Sequence, residues 1–411
     1  QSSDPHVQRN SGYDQFNFSQ KISYKPSDSV SVLYSLIYSS TSDIPRYDRL
    51  TETANGLPKS AEWYYGPQSW LMNLLNVEIN QKRKFFDRLN LTVAHQFFEE
   101  SRNDRKFNSN TLRKRTEKVS LITLNADLDK EINEKNTLFY GVEFNRNGVQ
   151  SEGIRTNVIS GASSPVATRY PEAGSRTQQV AAYLSHQLKM SKKSTVLWGV
   201  RYTRNELYAD FGGSNFYNFS FEEVDINSDA FTASLGYTFR PWRVWQFNIS
   251  LSSGFRSPNV DDVAKVFDSE PGRVVVPNEN ILPEYAYNGE IGLLRKFGDK
   301  GQAQVNFFYT SLQNTISRST SQVNGSDSIM YDGVLSQVLS EQNIGQAFVS
   351  GVSYSLMYNL NKNFGLRSSL TYMDGADLDT KESLRHVSPL FGNTAIAFVT
   401  EKIRSEFYLN Y

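Results

Sequence analysis

Residues alternate in character along most of the chain. From Phe231 to Phe239, Phe231, Ala233, Leu235, Tyr237 and Phe239 occupy the odd positions, and Thr232, Ser234, Gly236 and Thr238 lie between them. From Trp245 to Leu251, the apolar Trp245, Phe247, Ile249 and Leu251 alternate with Gln246, Asn248 and Ser250. Ala303, Val305, Phe307 and Tyr309 alternate with Gln302, Gln304 and Asn306, with Phe308 as the exception. Phe348, Val352, Tyr354, Leu356, Tyr358 and Leu360 share a fourth such face, opposite Gly351, Ser353, Ser355 and Asn359. A period of two is the strand period, so the chain is all-β. A soluble sandwich also alternates, and connection length separates the two architectures.

About sixteen strands can be counted, and their connections alternate between short and long. The short ones are Lys25–Ser29, Asn133–Asn136, Ser191–Ser194, Pro241–Arg243, Gly298–Gly301 and Asn361–Asn363. The long ones are Ser42–Ser69, Glu100–Thr116, Gly148–Thr177, Asp210–Asn227, Phe255–Glu284, Asn314–Gly345 and Asp374–Pro389. Short turns at one end and long loops at the other mark an outer-membrane barrel. Long structureless loops argue against a compact soluble domain, and no blade repeat points to a propeller. The expected fold is a transmembrane antiparallel β-barrel.

Composition agrees. Only 38% of residues are hydrophobic, yet 13% are aromatic, including 23 Tyr and 26 Phe. That balance fits a wall with a wet interior, a lipid-facing exterior and aromatic girdles. Lys plus Arg and Asp plus Glu both total 43, so bulk nucleic-acid binding is not expected. There is no cysteine, hence no disulfide or thiol chemistry. No run reaches the roughly 20 apolar residues of a membrane helix, and a barrel strand needs only about 9–11.

The turn phase starts the chain in an extracellular loop and ends it, at Tyr411, on an ascending strand. Because a barrel must close in lipid, residues 1–411 are expected to be one partial barrel, truncated at both ends. The alternative is a complete sixteen-strand porin, whose termini should meet on the periplasmic side.

Catalytic constellations are missing: no HExxH, P-loop, GxGxxG or CxxC. Gly351-Val-Ser353-Tyr-Ser355 lacks the last glycine of a nucleophile elbow and reads as strand. His95 and His186 fall inside strands, and His6 and His386 in or beside loops. No enzyme and no bound cofactor or metal is expected.

One segment carries a specific signal. Phe255-Arg256-Ser257-Pro258 is followed by Pro277-Asn278-Glu279-Asn280-Ile281-Leu282-Pro283-Glu284, then Gly289-Glu290-Ile291-Gly292-Leu293 and Phe307-Phe308-Tyr309. This resembles the barrel of TonB-dependent receptors: the first tetrapeptide is similar to the family's FRAP box, and Asn278-Glu279-Asn280-Ile281 to its NPNL box. The stretches Ser42–Leu50, Ala61–Pro67 and Ser328–Gly333 resemble the Bacteroidetes branch grouped with haemoglobin, transferrin and lactoferrin receptors.

The resemblance implies a barrel of about 22 strands around a plugged lumen. Roughly six strands, the plug and the TonB-contacting segment would then lie outside residues 1–411. It implies active import of an iron-containing nutrient, haem or haemoprotein or ferric siderophore, coupled to TonB. Haem receptors of the family carry a histidine between the two boxes, and Asn259 to Val276 contains none. A passive porin, or a structural subunit of an envelope complex, is the rival reading. A surface lipoprotein partner is also compatible.

Loop residues expected to touch ligand are Arg46, Tyr47, Trp63, Tyr64 and Tyr65, then Arg169 and Tyr170, and His386. Aromatics and arginine are the residue types favoured at binding hot spots, and a packing or girdle role is the competing one. The boxes, including Pro258, Pro277 and Pro283, are expected to shape loops, since proline restricts its own backbone and its predecessor's.

Overall fold

The computed structural model describes every residue except 1–3, 5, 9, 55, 213–220, 271, 332, 344 and 385–386. Sixteen long antiparallel strands form its wall. They are β1 Gln15–Ser27, β2 Val30–Thr41, β3 Ser69–Asn80, β4 Arg88–Lys106, β5 Thr111–Asn133, β6 Asn136–Asn157, β7 Ser175–Lys189 and β8 Ser194–Asp210. The second half comprises β9 Glu223–Trp242, β10 Trp245–Arg256, β11 Glu284–Lys296, β12 Gly301–Gln313, β13 Gln346–Asn359, β14 Phe364–Asp377, β15 Leu390–Val399 and β16 Arg404–Asn410. Each strand pairs with its neighbours in sequence order. Among the described residues β1 pairs only with β2, and β16 only with β15.

Register converts the alternation into two surfaces. Val200 and Ala233 fall in one row, and Trp198, Leu235, Leu251 and Gly289 in the next. Phe307 pairs with Ile291 and Val352 on the same outward face. Rings border this aliphatic band at both ends. Tyr202 packs on Phe231 (4.9 Å) and Tyr309 on Phe348 (6.0 Å) toward the long connections; Trp245 packs on Phe247 (6.4 Å) and Phe364 on Phe398 (4.9 Å) toward the short turns. Phe231 to Phe239 spans about 27 Å at the antiparallel rise per residue, close to the apolar height of an outer-membrane wall.

The opposite, luminal face is hydrogen-bonded and charged. Arg201 pairs with Glu143 at 2.9 Å, Tyr183 donates to Asp127 at 2.6 Å, and Gln179 donates to Asn205 at 2.9 Å.

The wall is uneven in height. β5 and β6 have 23 and 22 residues, far more than a membrane crossing needs, whereas β10 has 12. The connection expected at Glu100–Thr116 is therefore not a loop: β4 and β5 continue through it to a turn at 107–110. Apolar alternation stops there, and ion pairs replace it. Asp104 is bound by Arg113 at 2.5 Å and Arg115 at 3.1 Å.

Other long connections also contain structure. Phe267–Glu270, Arg273–Val276, Ile316–Thr320, Ser328–Tyr331 and Val334–Asn343 form a separate five-stranded sheet. Its core is Val266, Val274, Val276, Val323 and Val338. A short helix, α2 (Val260–Val263), buries Val260 and Val263 against Leu207, Ala209 and Val224, on the luminal face of β8 and β9. The helix α1 (Tyr47–Leu50) lies in the connection after β2.

Candidate functional site

The long-connection end holds two side-chain groups that the sequence placed far apart. The first is built on Ser60–Tyr65, a short strand that pairs with the projecting part of β4 and with Ile44–Pro45. Alternation along it puts Trp63 and Tyr65 on one face, where their rings meet edge to face at 4.9 Å. Arg46 lies over both rings, 5.3 Å from Trp63 and 5.2 Å from Tyr65. Its guanidinium donates to Tyr65 Oη at 2.9 Å and to both oxygens of Asp48 at 2.8 and 2.6 Å. The Arg46 hydrogen bond holds the Asp48 carboxyl down at about 2. Tyr64 points the other way, opposite Pro45 and Asn103, and burial beside Asp43 and Glu62 pushes its phenol up. Tyr47 is exposed on α1.

The second group lies at the same end of the wall. Tyr170 donates to Asp261 Oδ1 at 2.7 Å, tying the connection after β6 to α2. Lys265 also pairs with Asp261, at 2.8 Å, and stands 5.4 Å from the Tyr170 ring. Burial, then the bond to Asp261, raises the Tyr170 phenol well above its ordinary range. Burial alone would push the Asp261 carboxyl up, but the bonds from Lys265 and Tyr170 outweigh it and hold it down. Arg169 lies 5.7 Å from the Phe267 ring, and its carbonyl accepts from Val266 N at 2.8 Å.

The two motif boxes meet each other. Arg256 pairs with Asp262 at 2.7 Å and also with Glu284, joining the end of β10 to the start of β11. Glu284 accepts from Ile316 N at 2.5 Å, and Asn278 donates to the Glu341 carbonyl at 2.8 Å. The Ser257 hydroxyl lies 3.0 Å from that of Ser228, and Asn280 N donates to Asn278 Oδ1 at 3.0 Å. Pro258 leads into the α2 cap, Pro277 follows Arg273–Val276, and the Pro283 carbonyl accepts from Asn314 at 3.4 Å. Phe255 packs outward on Tyr285 at 6.3 Å. In this geometry Arg256–Glu284 joins the two boxes, and the other box contacts run to the neighbouring strands and connections through Ser228, Asn314, Ile316 and Glu341. His386 lies outside the described residues, as does Asp332 of the Ser328–Gly333 stretch.

Residues that composition did not single out connect the two groups. Arg102 pairs with Glu100 at 2.7 Å and stands 5.9 Å from the Tyr65 ring. Glu100 lies opposite Glu117 across β4 and β5. Both line a cavity of about 340 Å³, together with Tyr170, Asn259 and Asp261. The strand period was the available signal: Phe98, Glu100 and Arg102 continue the luminal face of β4. Among the described residues no group of acids and histidines is arranged to hold a metal.

Three comparisons bear on this architecture. The model of a family described as TonB dependent receptor-like, beta-barrel matches residues 2–409. A Haemophilus influenzae relative, probable hemoglobin and hemoglobin-haptoglobin-binding protein 4, is 30% identical over 168 residues, covering 38% of this chain and 16% of its own length. Solved structures with the same fold include the copper transporter OprC (TM-score 0.72, 12% identity, 95% of this chain and 57% of that one). The Serratia marcescens hemophore receptor HasR, solved as a double mutant with its hemophore HasA and heme, gives 0.71 at 10% identity over 97% and 65%. The siderophore receptor PirA of Acinetobacter baumannii gives 0.70 at 15% identity over 97% and 58%. The chain thus spans less than two thirds of the length of each of these relatives.

Proposed function

The chain belongs to the TonB-dependent receptor-like β-barrel family, a family of outer-membrane transporters rather than enzymes, and on that premise we propose that it takes part in TonB-coupled import of an iron-containing nutrient. The nutrient is haem, a haemoprotein or a ferric siderophore. It is caught at the extracellular mouth by Arg46, Tyr47, Trp63, Tyr64, Tyr65, Arg169 and Tyr170, with His386 as a further contact. The observation that carries this reading is the convergence of the Arg46–Trp63–Tyr65 stack and the Tyr170–Asp261 pair on one luminal mouth. The curated relative's name refers to hemoglobin, and the HasR structure holds heme.

Coupling to TonB, and the plug it acts on, are assigned to parts of the receptor outside residues 1–411. A Bacteroidetes origin and a surface lipoprotein partner belong to the same proposal.

An absorbance titration of the full-length receptor in detergent, with haem and with ferric siderophores, tests it. A stoichiometric haem band or siderophore binding, weakened in a Trp63→Ala/Tyr65→Ala variant that still forms a heat-modifiable barrel, is the expected result. No binding of any iron complex, with unchanged small-solute permeation, would move the protein to the porin class.

A further inference from the structure

Three long connections meet at one ring. Phe267, in the connection after β10, has the Lys265 ammonium 5.1 Å from its ring centre, the Arg318 guanidinium at 5.3 Å and the Arg169 guanidinium at 5.7 Å. Arg169 comes from the connection after β6, and Arg318 from the one after β12. Each connection thus brings one cation to the same place, where the ring quadrupole attracts it.

The three cations are not equally engaged. Lys265 pairs with Asp261 at 2.8 Å. Arg318 spends Nε and Nη2 on one oxygen of Glu341, at 3.2 and 3.1 Å, and leaves Nη1 unused. Arg169 donates no side-chain hydrogen bond among the described residues, although Glu117 and Asp261 lie close enough to feel its charge. It is half-buried, and its nitrogens are open to solvent, unlike Nε and Nη1 of Arg102, which are buried. The residue is nevertheless held in place. Its carbonyl accepts from Val266 N at 2.8 Å, and its head rests by the Phe267 ring.

A donor that is fixed in position but open at its nitrogens binds an acceptor cheaply, because little freedom is left to lose. A guanidinium presents parallel N–H donors that match the two oxygens of a carboxylate. Lys265 and Arg318 add positive potential beside it, and the Phe267 ring adds apolar surface for the body that carries the acid. A cationic group would meet repulsion from all three heads.

We propose that Arg169, Lys265 and Arg318 form a subsite for a carboxylate of the imported ligand, with Arg169 as the bidentate donor and Phe267 as the apolar floor. The assignment rests on the import reading and adds to it the chemistry of one ligand group. A ligand acid seated there touches three connections at once, and so fixes their positions relative to one another.

Fluorine NMR on the full-length receptor in detergent tests it. The probe is para-fluorobenzoate, the matched controls are para-fluorobenzamide and para-fluorobenzylammonium, and receptor-free micelles are the blank. Receptor-dependent line broadening is expected for the benzoate alone. Arg169→Gln should weaken binding about tenfold or more, the scale of a lost hydrogen bond to a charged group. Arg169→Lys keeps the charge without the fork and should recover only part of it. Arg318→Gln should weaken binding by a smaller factor, and it keeps the subsite testable if the Arg169 variants do not fold. Lys192→Gln, in the short turn after β7, should leave binding unchanged. Equal broadening of the benzamide, no receptor-dependent broadening of the benzoate, or full benzoate binding by folded Arg169→Gln would overturn the proposal and leave the three cations as a latch between connections. The iron-complex titration is a separate readout: benzoate binding without iron-complex binding would leave the subsite standing and remove the iron reading, and the reverse would remove the subsite alone.

Discussion

The Arg46 guanidinium is held from three sides: by the Asp48 carboxylate, by the Tyr65 hydroxyl and by the faces of two rings. Each contact has a separable consequence. Asp48 has a depressed carboxyl in the fold, so the stability this pair adds is complete above the ordinary aspartate value of about 4. It is lost as pH falls toward about 2. Hydrogen exchange across 42–68, corrected for intrinsic rates, should therefore stay flat from neutral pH down to about 4 and rise below it. In Arg46→Ala the carboxyl should return to its ordinary value, folded and unfolded states then bind the proton alike, and that pH step should disappear. A step unmoved by Arg46→Ala would mean that another group controls the hairpin. Trp63→Ala removes the edge-to-face ring and two cation–π contacts, with Arg46 and Arg49, and about 1–2 kcal/mol of local protection should go with them. Residue types announced this cluster in the sequence. The partners did not: Arg102 reaches Tyr65 only because Ser60–Tyr65 pairs with β4, a long-range register that no local pattern encodes.

Among the elements, the projecting hairpin of β4 and β5 explains why Glu100–Thr116 read as a loop. Beyond lipid an outward face has no reason to be apolar, so the alternation that marks a membrane strand fades while the backbone ladder continues. The five-stranded sheet was hidden for a related reason: its strands come from two separate connections and are too short to show a period. Val274-Val275-Val276 was its one visible trace. Two substitutions probe how these elements carry the mouth. Gly153 in β6 accepts from Val166 N at 3.0 Å, and a Cβ there would lie 2.0 Å from the Val166 carbonyl oxygen. Gly153→Ala should displace the strap bearing Arg169 and Tyr170, costing about 1–3 kcal/mol. Limited proteolysis should then cut within 158–174 while the barrel remains heat-modifiable. Asn259 caps α2 by accepting from Asp261 N at 2.8 Å and Asp262 N at 3.2 Å. Asn259→Ala should cost about 1 kcal/mol and raise exchange across 259–264 without altering the wall.

At the scale of the whole molecule, fold legibility comes down to two solvents. Every wall strand answers lipid on one face and an aqueous or protein-filled lumen on the other, and the strand period separates them residue by residue. That is why strand number and turn positions could be read from the sequence, whereas the side-chain groups at the long-connection end, which lie beyond the lipid, were legible only as residue types. Adjacent residues of β10 make the claim testable. Leu251 lies in the outward row with Leu235 and Gly289, midway between the aromatic borders. Ser250, one position earlier, faces the lumen opposite Gly236 and Glu290. Arginine at position 251 must leave its charge in hydrocarbon, so Leu251→Arg should cost about 2–4 kcal/mol. Ser250→Arg places the same group beside a carboxylate in a polar lumen and should stay within about 0.5 kcal/mol of the parent. Urea unfolding of the full-length receptor in lipid vesicles reads both values. Equal costs at 250 and 251 would show that the two faces meet the same medium, and the barrel assignment of this wall would fall with them.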